Sequence, residues 1–160
     1  MNSIVVLLVA LIAAQAPPIG KVDSTFDKKA NFASFRTYAW TPGSHAFNPA
    51  AHQLIVEALD AEMAARGFTK VATGADVTLS YSSMAVKNVD LNALDKAERA
   101  GSAAPTKDLG RLVVVMRTPA RRQLWSAATR EYLEPDIEKL GATLKAVTAR
   151  LFETYPKPPA

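Results

Sequence analysis

His45 and His52 are the chain's only histidines and the first places to look for metal or proton chemistry. Pro49 lies between them, so their spacing gives no ligand pair on one helix or strand. A zinc site would also need a third and fourth ligand, and the sequence positions none. Both read as surface side chains near a helix start. Ser82, Ser83 and Ser102 are the serines to test as nucleophiles. None sits in G-x-S-x-G, and no base is placed for them. Gly74 and Gly101 stand singly, without a phosphate loop around them, and no H-E-x-x-H occurs. Asp60 and Glu62 lie two apart on an expected helix and therefore point apart. They read as its solvated flank, with Glu57. No catalytic, cofactor or metal residues are assigned on this reading, and no cofactor is expected.

The charge pattern is more informative. Leu109 to Arg130 contains Arg111, Arg117, Arg121, Arg122 and Arg130 and no acidic residue. Arg117, Arg121 and Arg122 cluster around an expected turn, with Trp125 close behind. A guanidinium fork suits phosphate and carboxylate groups. These four residues form the candidate anion-binding surface. The plainer reading is a solvated hairpin whose arginines pair with Glu134, Asp136 or Glu138.

The net charge of +4 favours polyanions weakly and leaves nucleic-acid binding disfavoured. No cysteine is present, which removes disulfides, thiolate chemistry and thioether lipid anchors. Ile4 to Ala14 is an apolar run of eleven residues. That is short of the ~20 a membrane span needs, but it suits the core of a secretory signal. Ala14-Gln15-Ala16 supplies a small-x-small cleavage pattern. Met1-Asn2-Ser3 lacks the usual basic residue, and Pro17 would hinder cleavage, so an uncleaved tether is the alternative. The expected organisation is a signal-like segment 1–16, one domain over 17–156, and a tail 157–160. The expected location is the periplasm or cell envelope, without a transmembrane span in the mature chain.

The elements that must position these residues follow from periodicity. Val22, Ser24 and Phe26 alternate with polar neighbours as in a half-buried strand. Thr37 to Trp40 is a second strand, with Tyr38 and Trp40 on one face. Asn48 and Pro49 open a helix running to about Arg66, with Leu54, Ile55, Ala58, Leu59 and Met63 as its stripe. Gly67 ends it, and Phe68 folds back on the last turn. Val77, Leu79 and Tyr81 mark a strand with one dry face. Residues 88–107 read as a long loop. Leu109 to Met116, the Thr118-Pro119-Ala120 turn and Gln123 to Thr129 form a hairpin. A last helix starts near Pro135, with Ile137, Leu140, Leu144, Val147 and Leu151 in step. The expected fold is α+β: a mainly antiparallel sheet of five to six strands with both helices packed on one face.

Asn31 to Trp40 holds Phe32, Phe35, Tyr38 and Trp40, four of the chain's twelve aromatics. It reads first as a core anchor and otherwise as a surface for stacking carbohydrate or peptide. The pattern F-x-x-F-x-T-Y-x-W resembles the bacterial domain-of-unknown-function 4136 family. So do the segment Ala58 to Phe68 ending in Gly-Phe, Ala75-Asp76-Val77 with Ser80-Tyr81, Gly110 to Val114 followed by Leu124-Trp125, and Leu151 to Pro156. The resemblance spans Lys21 to Pro156. It implies an envelope protein, often lipoprotein-like, and no catalytic residues. This chain lacks the lipobox cysteine and carries Ser126-Ala127 where relatives tend to have a basic residue and glycine.

The reading is an exported, non-enzymatic binding or structural domain. Its partner would be an anionic envelope lipid, a wall polymer or another envelope protein. The alternative is an enzyme or small-ligand carrier with a site assembled from distant residues near Tyr81 and Trp125.

Overall fold

The computed structural model describes residues 21–41, 49–89, 96–97, 99–102, 106–132 and 137–156. Among these, six strands form one sheet: β1 (Val22–Phe26), β2 (Thr37–Trp40), β3 (Thr69–Lys70), β4 (Val77–Val89), β5 (Thr106–Arg117) and β6 (Gln123–Tyr132). A short 3-10 helix covers Phe32–Ser34. Two longer helices are α1 (Pro49–Ala65) and α2 (Ile137–Phe152). The expected signal segment, His45, Glu134, Pro135 and Asp136 lie outside the described residues.

The strand order is β1-β6-β5-β4-β2-β3. The α+β expectation holds, with one correction. The sheet is mixed, because β2 runs parallel to both β3 and β4. The reason is the connection: α1 lies between β2 and the strands that join it, and a helical crossover returns the chain in the same direction. The rest of the sheet is antiparallel. The expected loop 88–107 is shortened at both ends, because β4 runs on to Val89 and β5 begins at Thr106.

Strand alternation divides the sheet cleanly. Val77, Leu79, Tyr81, Leu112, Val114, Met116, Trp125 and Ala127 are buried on one face. α1 adds Ile55, Leu59 and Met63, and α2 adds Leu140, Leu144, Val147, Leu151 and Phe152 to the same core. Each such large apolar side chain contributes about 1.5–3 kcal/mol when fully buried. The opposite face carries Thr78, Ser80, Val113, Val115, Ser126 and Ala128, all half-buried.

The helix ends follow their local chemistry. Gly67 takes φ +81°, the left-handed geometry that costs glycine nothing. The Phe68 N–H then bonds the Met63 carbonyl at 3.1 Å, which tucks the ring into the core. β1 differs from expectation: only Val22 is half-buried, and Phe26 is 47% exposed. An edge strand has one neighbour, so its dry face receives less cover.

Candidate functional site

Three features could form a site: a carboxylate clamp under the aromatic strand, an aromatic groove, and the arginine hairpin.

The clamp corrects the reading of Asp60 as a solvated flank. Asp60 Oδ1 accepts the Tyr38 hydroxyl at 2.6 Å and the Trp40 indole N–H at 2.9 Å. Oδ2 accepts Lys70 Nζ at 2.9 Å. One carboxylate on α1 therefore ties down β2 and β3. Burial first, and the Asp60 carboxylate second, push the Tyr38 phenol well above its usual range. Tyr38 is almost fully buried and Trp40 half-buried, so the N-F-A-S-F-R-T-Y-A-W stretch is chiefly an anchor. Next to it His52 is hydrogen-bonded through Nδ1 to the Tyr81 hydroxyl and stacks on that ring. The expectation of a surface histidine is corrected to a half-buried one. Its partner lies 29 residues away on a different element, which local spacing does not reveal.

A second carboxylate fastens the other edge of β2. Asp76 Oδ2 accepts the backbone N–H of Arg36 at 2.8 Å and of Thr37 at 2.9 Å, and the Thr37 hydroxyl at 2.9 Å. These bonds hold its carboxyl below the ordinary value.

The groove opens where the 3-10 helix meets the C-terminal ends of α1 and α2. Its volume is about 930 Å³, and Phe32, Phe35, Phe68, Phe152 and Tyr155 line it. Edge-to-face contacts run through the wall: Phe32 with Tyr155 at 5.4 Å, and Phe68 with Tyr155 at 6.2 Å. The Arg66 guanidinium lies 4.8 Å from the Phe152 ring centre and is held by Glu62. Arg36 at the rim donates to the Ala33 and Phe35 carbonyls. Behind this wall the Tyr155 hydroxyl and Trp125 Nε1 are buried without hydrogen-bond partners. Desolvation pushes Tyr155 up to about 12.

The hairpin separates the four candidate anion-surface residues. Arg121 and Arg122 are exposed in the turn between β5 and β6. The turn closes through Arg121 N–H to the Thr118 carbonyl at 2.8 Å and Thr118 N–H to the Arg122 carbonyl at 2.9 Å. Arg121 is left-handed, with φ +66°. Arg122 pairs with Asp27 at 2.9 Å; of the acids expected to pair with the arginines, Glu134 and Asp136 lie outside the described residues. Arg117 lies on the face opposite the helices and donates to the Ser80 hydroxyl at 3.1 Å. Trp125 is not beside them: it is fully buried on the helix-facing side, 4.9 Å from Phe152. In sequence it follows Arg122 by three residues, but alternation with Ser126 and Ala128 on the opposite face turns it inward. The suggested site near Tyr81 and Trp125 is likewise not assembled. Both are core side chains, on β4 and β6, with β5 between them. Among the described residues no group of three His, Asp or Glu is placed to hold a metal, and no helix is long and apolar enough to cross a membrane.

A mixed sheet with two helices on one face, an aromatic β2 clamped by a helix carboxylate and an arginine hairpin define an α+β domain without a recognisable reaction centre among the described residues. The chain belongs to the DUF4136 family, a domain of unknown function, whose model matches residues 22–157. No curated protein matches it. Among solved structures it is similar to a PDZ domain protein from Parabacteroides distasonis. There the identity is 17%, the TM-score is 0.61, and the match covers 87% of this chain but only 36% of that one. It is also similar to PelC from Paraburkholderia phytofirmans, solved as a dodecamer. That match is 12% identical with TM-score 0.51, covering 83% of this chain and 97% of that one. At such identities the likeness is one of fold.

Proposed function

We propose that this chain is an exported, non-enzymatic envelope domain that associates with an anionic surface through its hairpin. The observation that carries this is the turn itself. Arg121 and Arg122 project from it, and Arg121 occupies a left-handed position that disfavours any side chain. A cationic side chain kept where glycine would be easier is a feature that binding explains and stability does not. Near an anionic membrane each basic residue contributes about 1 kcal/mol, so the attraction is modest, reversible and screened by salt. Export rests on the apolar run Ile4 to Ala14 and on the envelope character of the family resemblance.

The test is co-sedimentation with anionic vesicles and with wall fragments at low and high salt. Wild type is expected to bind at low salt, and the triple variant Arg117→Gln, Arg121→Gln, Arg122→Gln to bind less. Equal binding by the variant, or no binding by wild type, defeats the reading. Recovery of the protein only from cytoplasm defeats export.

The aromatic groove favours a second reading, a carrier of a small apolar ligand. Pockets of roughly 300–1,000 Å³ with mostly aromatic walls are usual for such ligands. Saturable binding of a hydrophobic fluorescent dye, lost on Phe35→Asp, would support it.

A further inference from the structure

The open edge of the sheet carries a self-complementary pattern. β1 is the end strand, and among the described residues no strand covers its other side. The opposite edge is β3, only two residues long. β1 pairs with β6 in unbroken register from Val22 to Phe26, and the Asp27 N–H bonds the Leu124 carbonyl at 2.8 Å. Bonded residues alternate along an antiparallel ladder. Asp23, Thr25 and Asp27 therefore turn their backbone groups toward β6. Val22, Ser24 and Phe26 turn theirs outward, as a row of unmatched N–H and C=O groups. No proline or bulge interrupts this row, two usual guards of a free edge. The side chains of Val22, Ser24 and Phe26 share the helix-facing side with Thr129, Ala127 and Trp125. Phe26 is the one large apolar side chain left exposed among the described residues, with its ring centre 6.3 Å from that of Phe32.

We propose that β1 pairs with β1 of a second copy of this chain, antiparallel and about a two-fold axis, so that two six-stranded sheets become one. A two-fold contact must be self-complementary. The β1 sequence meets that demand in one register. Centred on Ser24, the pairing sets Val22 opposite Phe26 of the second copy, and Phe26 opposite its Val22. Each exposed Phe26 ring thus gains an apolar neighbour across the seam. On the other face Lys21 stands opposite Asp27 of the second copy, and Asp23 opposite its Thr25. Centred on Asp23, the pairing would set Asp23 against Asp23. Centred on Thr25, it would set Asp23 against Asp27. Like charges directly opposite disfavour both alternatives. Arg122 already neutralises part of Asp27, so the charge match selects the register more than it adds affinity. A seam of five residues is small beside the interface of a stable dimer, so the association is weak and reversible.

Sedimentation of the full chain over a concentration series reaching ~1 mM tests this. Wild type is expected to shift from monomer to dimer as concentration rises. Ser24→Pro removes the N–H at the centre of the seam, a group that the β1–β6 ladder does not use. It should raise the dimer dissociation constant about tenfold or more, because both central backbone bonds are lost together. Lys21→Glu sets an acid opposite Asp27 and should weaken the dimer most at low salt. The Lys21 side chain is 88% exposed, so this variant folds even if the proline variant does not. Crosslinking reads the register separately, because the chain has no cysteine of its own. Residues directly opposite in a bonded pair have Cα atoms about 5.5 Å apart, within disulfide reach. Ser24→Cys should therefore crosslink to its copy on oxidation. Asp23→Cys, two residues out of step with its copy, should not. A wild type that stays monomeric throughout overturns the pairing and leaves the edge to another protein. A dimer that both Ser24→Pro and Lys21→Glu leave intact overturns it as well, as does crosslinking through Asp23→Cys in place of Ser24→Cys.

Discussion

Asp60 and Tyr38 face each other across the α1–β2 interface, with the carboxylate 2.6 Å from the phenol oxygen. The same oxygen receives the Trp40 indole N–H. Asp60→Ala leaves two donors in a half-dry interface without their acceptor, and each loss costs about 1–3 kcal/mol. The expected destabilisation is about 2–4 kcal/mol, read as a lower urea midpoint with the slope unchanged. Asp60→Asn keeps an acceptor oxygen and should lose about half as much. A midpoint within error of wild type for both variants would mean that the clamp contributes nothing.

The two tryptophans should respond unequally. Trp125 is fully buried and Trp40 half-buried. Trp125→Ala is expected to cost about 3–5 kcal/mol, the usual loss for a large core aromatic. Trp40→Ala should cost less. Chemical denaturation of the two variants side by side checks the order, and the reverse order would contradict the inward orientation of Trp125.

Tyr155→Phe should stabilise the domain. Its hydroxyl is buried without a partner, so removing it relieves a desolvation cost of about 1 kcal/mol. The pH dependence gives a second signature. Burial raises the phenol from 10.0 to about 12, so the folded state binds the proton more tightly than the unfolded state does. Stability is therefore full below the unfolded value near 10 and falls as pH rises between about 10 and 12. Tyr155→Phe should flatten part of that alkaline loss. Tyr38 is shifted in the same direction and adds to that loss. Equal alkaline melting curves for variant and wild type would refute the assignment.

Asp76 acts at the acid end. Its folded value is depressed below 3.8 by the bonds from Arg36 and Thr37. Its contribution is present above the unfolded value and disappears as pH falls through the folded one. Asp76→Asn should remove this part of the acid sensitivity, visible as a flatter stability profile below pH ~4. Titration of the carboxyl carbon by NMR measures the shift directly.

Arg121→Gly should raise stability by about 1 kcal/mol, because glycine accepts positive φ without strain. If the hairpin binds anionic surfaces, the same variant loses affinity for them. A gain in melting temperature together with weaker vesicle binding is the expected pair of results.

Much of the architecture is legible in the sequence. The limits of β1, the start of α1, the Gly67 stop and the β5–β6 hairpin all follow from alternation, caps and turn residues, which act locally. What escaped was non-local. The parallel setting of β2 depends on which strands flank it, and side-chain patterning is silent on that. Asp60 looked solvated because its own helix offers it no partner; its partners are aromatics about 20 residues earlier. Trp125 stands near Arg122 in sequence, whereas alternation counted from Ala127 turns it inward. Arg111 and Arg130 stand opposite each other only through the hairpin register, which a five-residue turn and a bulge near Arg117 set together.

The sheet order also has a temporal meaning. β1, near the start of the chain, is hydrogen-bonded to β6, close to its end, with Val22 opposite Thr129. A chain made from its N-terminus emerges with β1 unmatched, and that strand waits until more than a hundred residues have followed. Closing so long a loop is slow relative to forming the local β5–β6 hairpin. Among the described strands the first to be synthesised is thus among the last to find its place, and a nascent chain stopped before Gln123 has no seat for it.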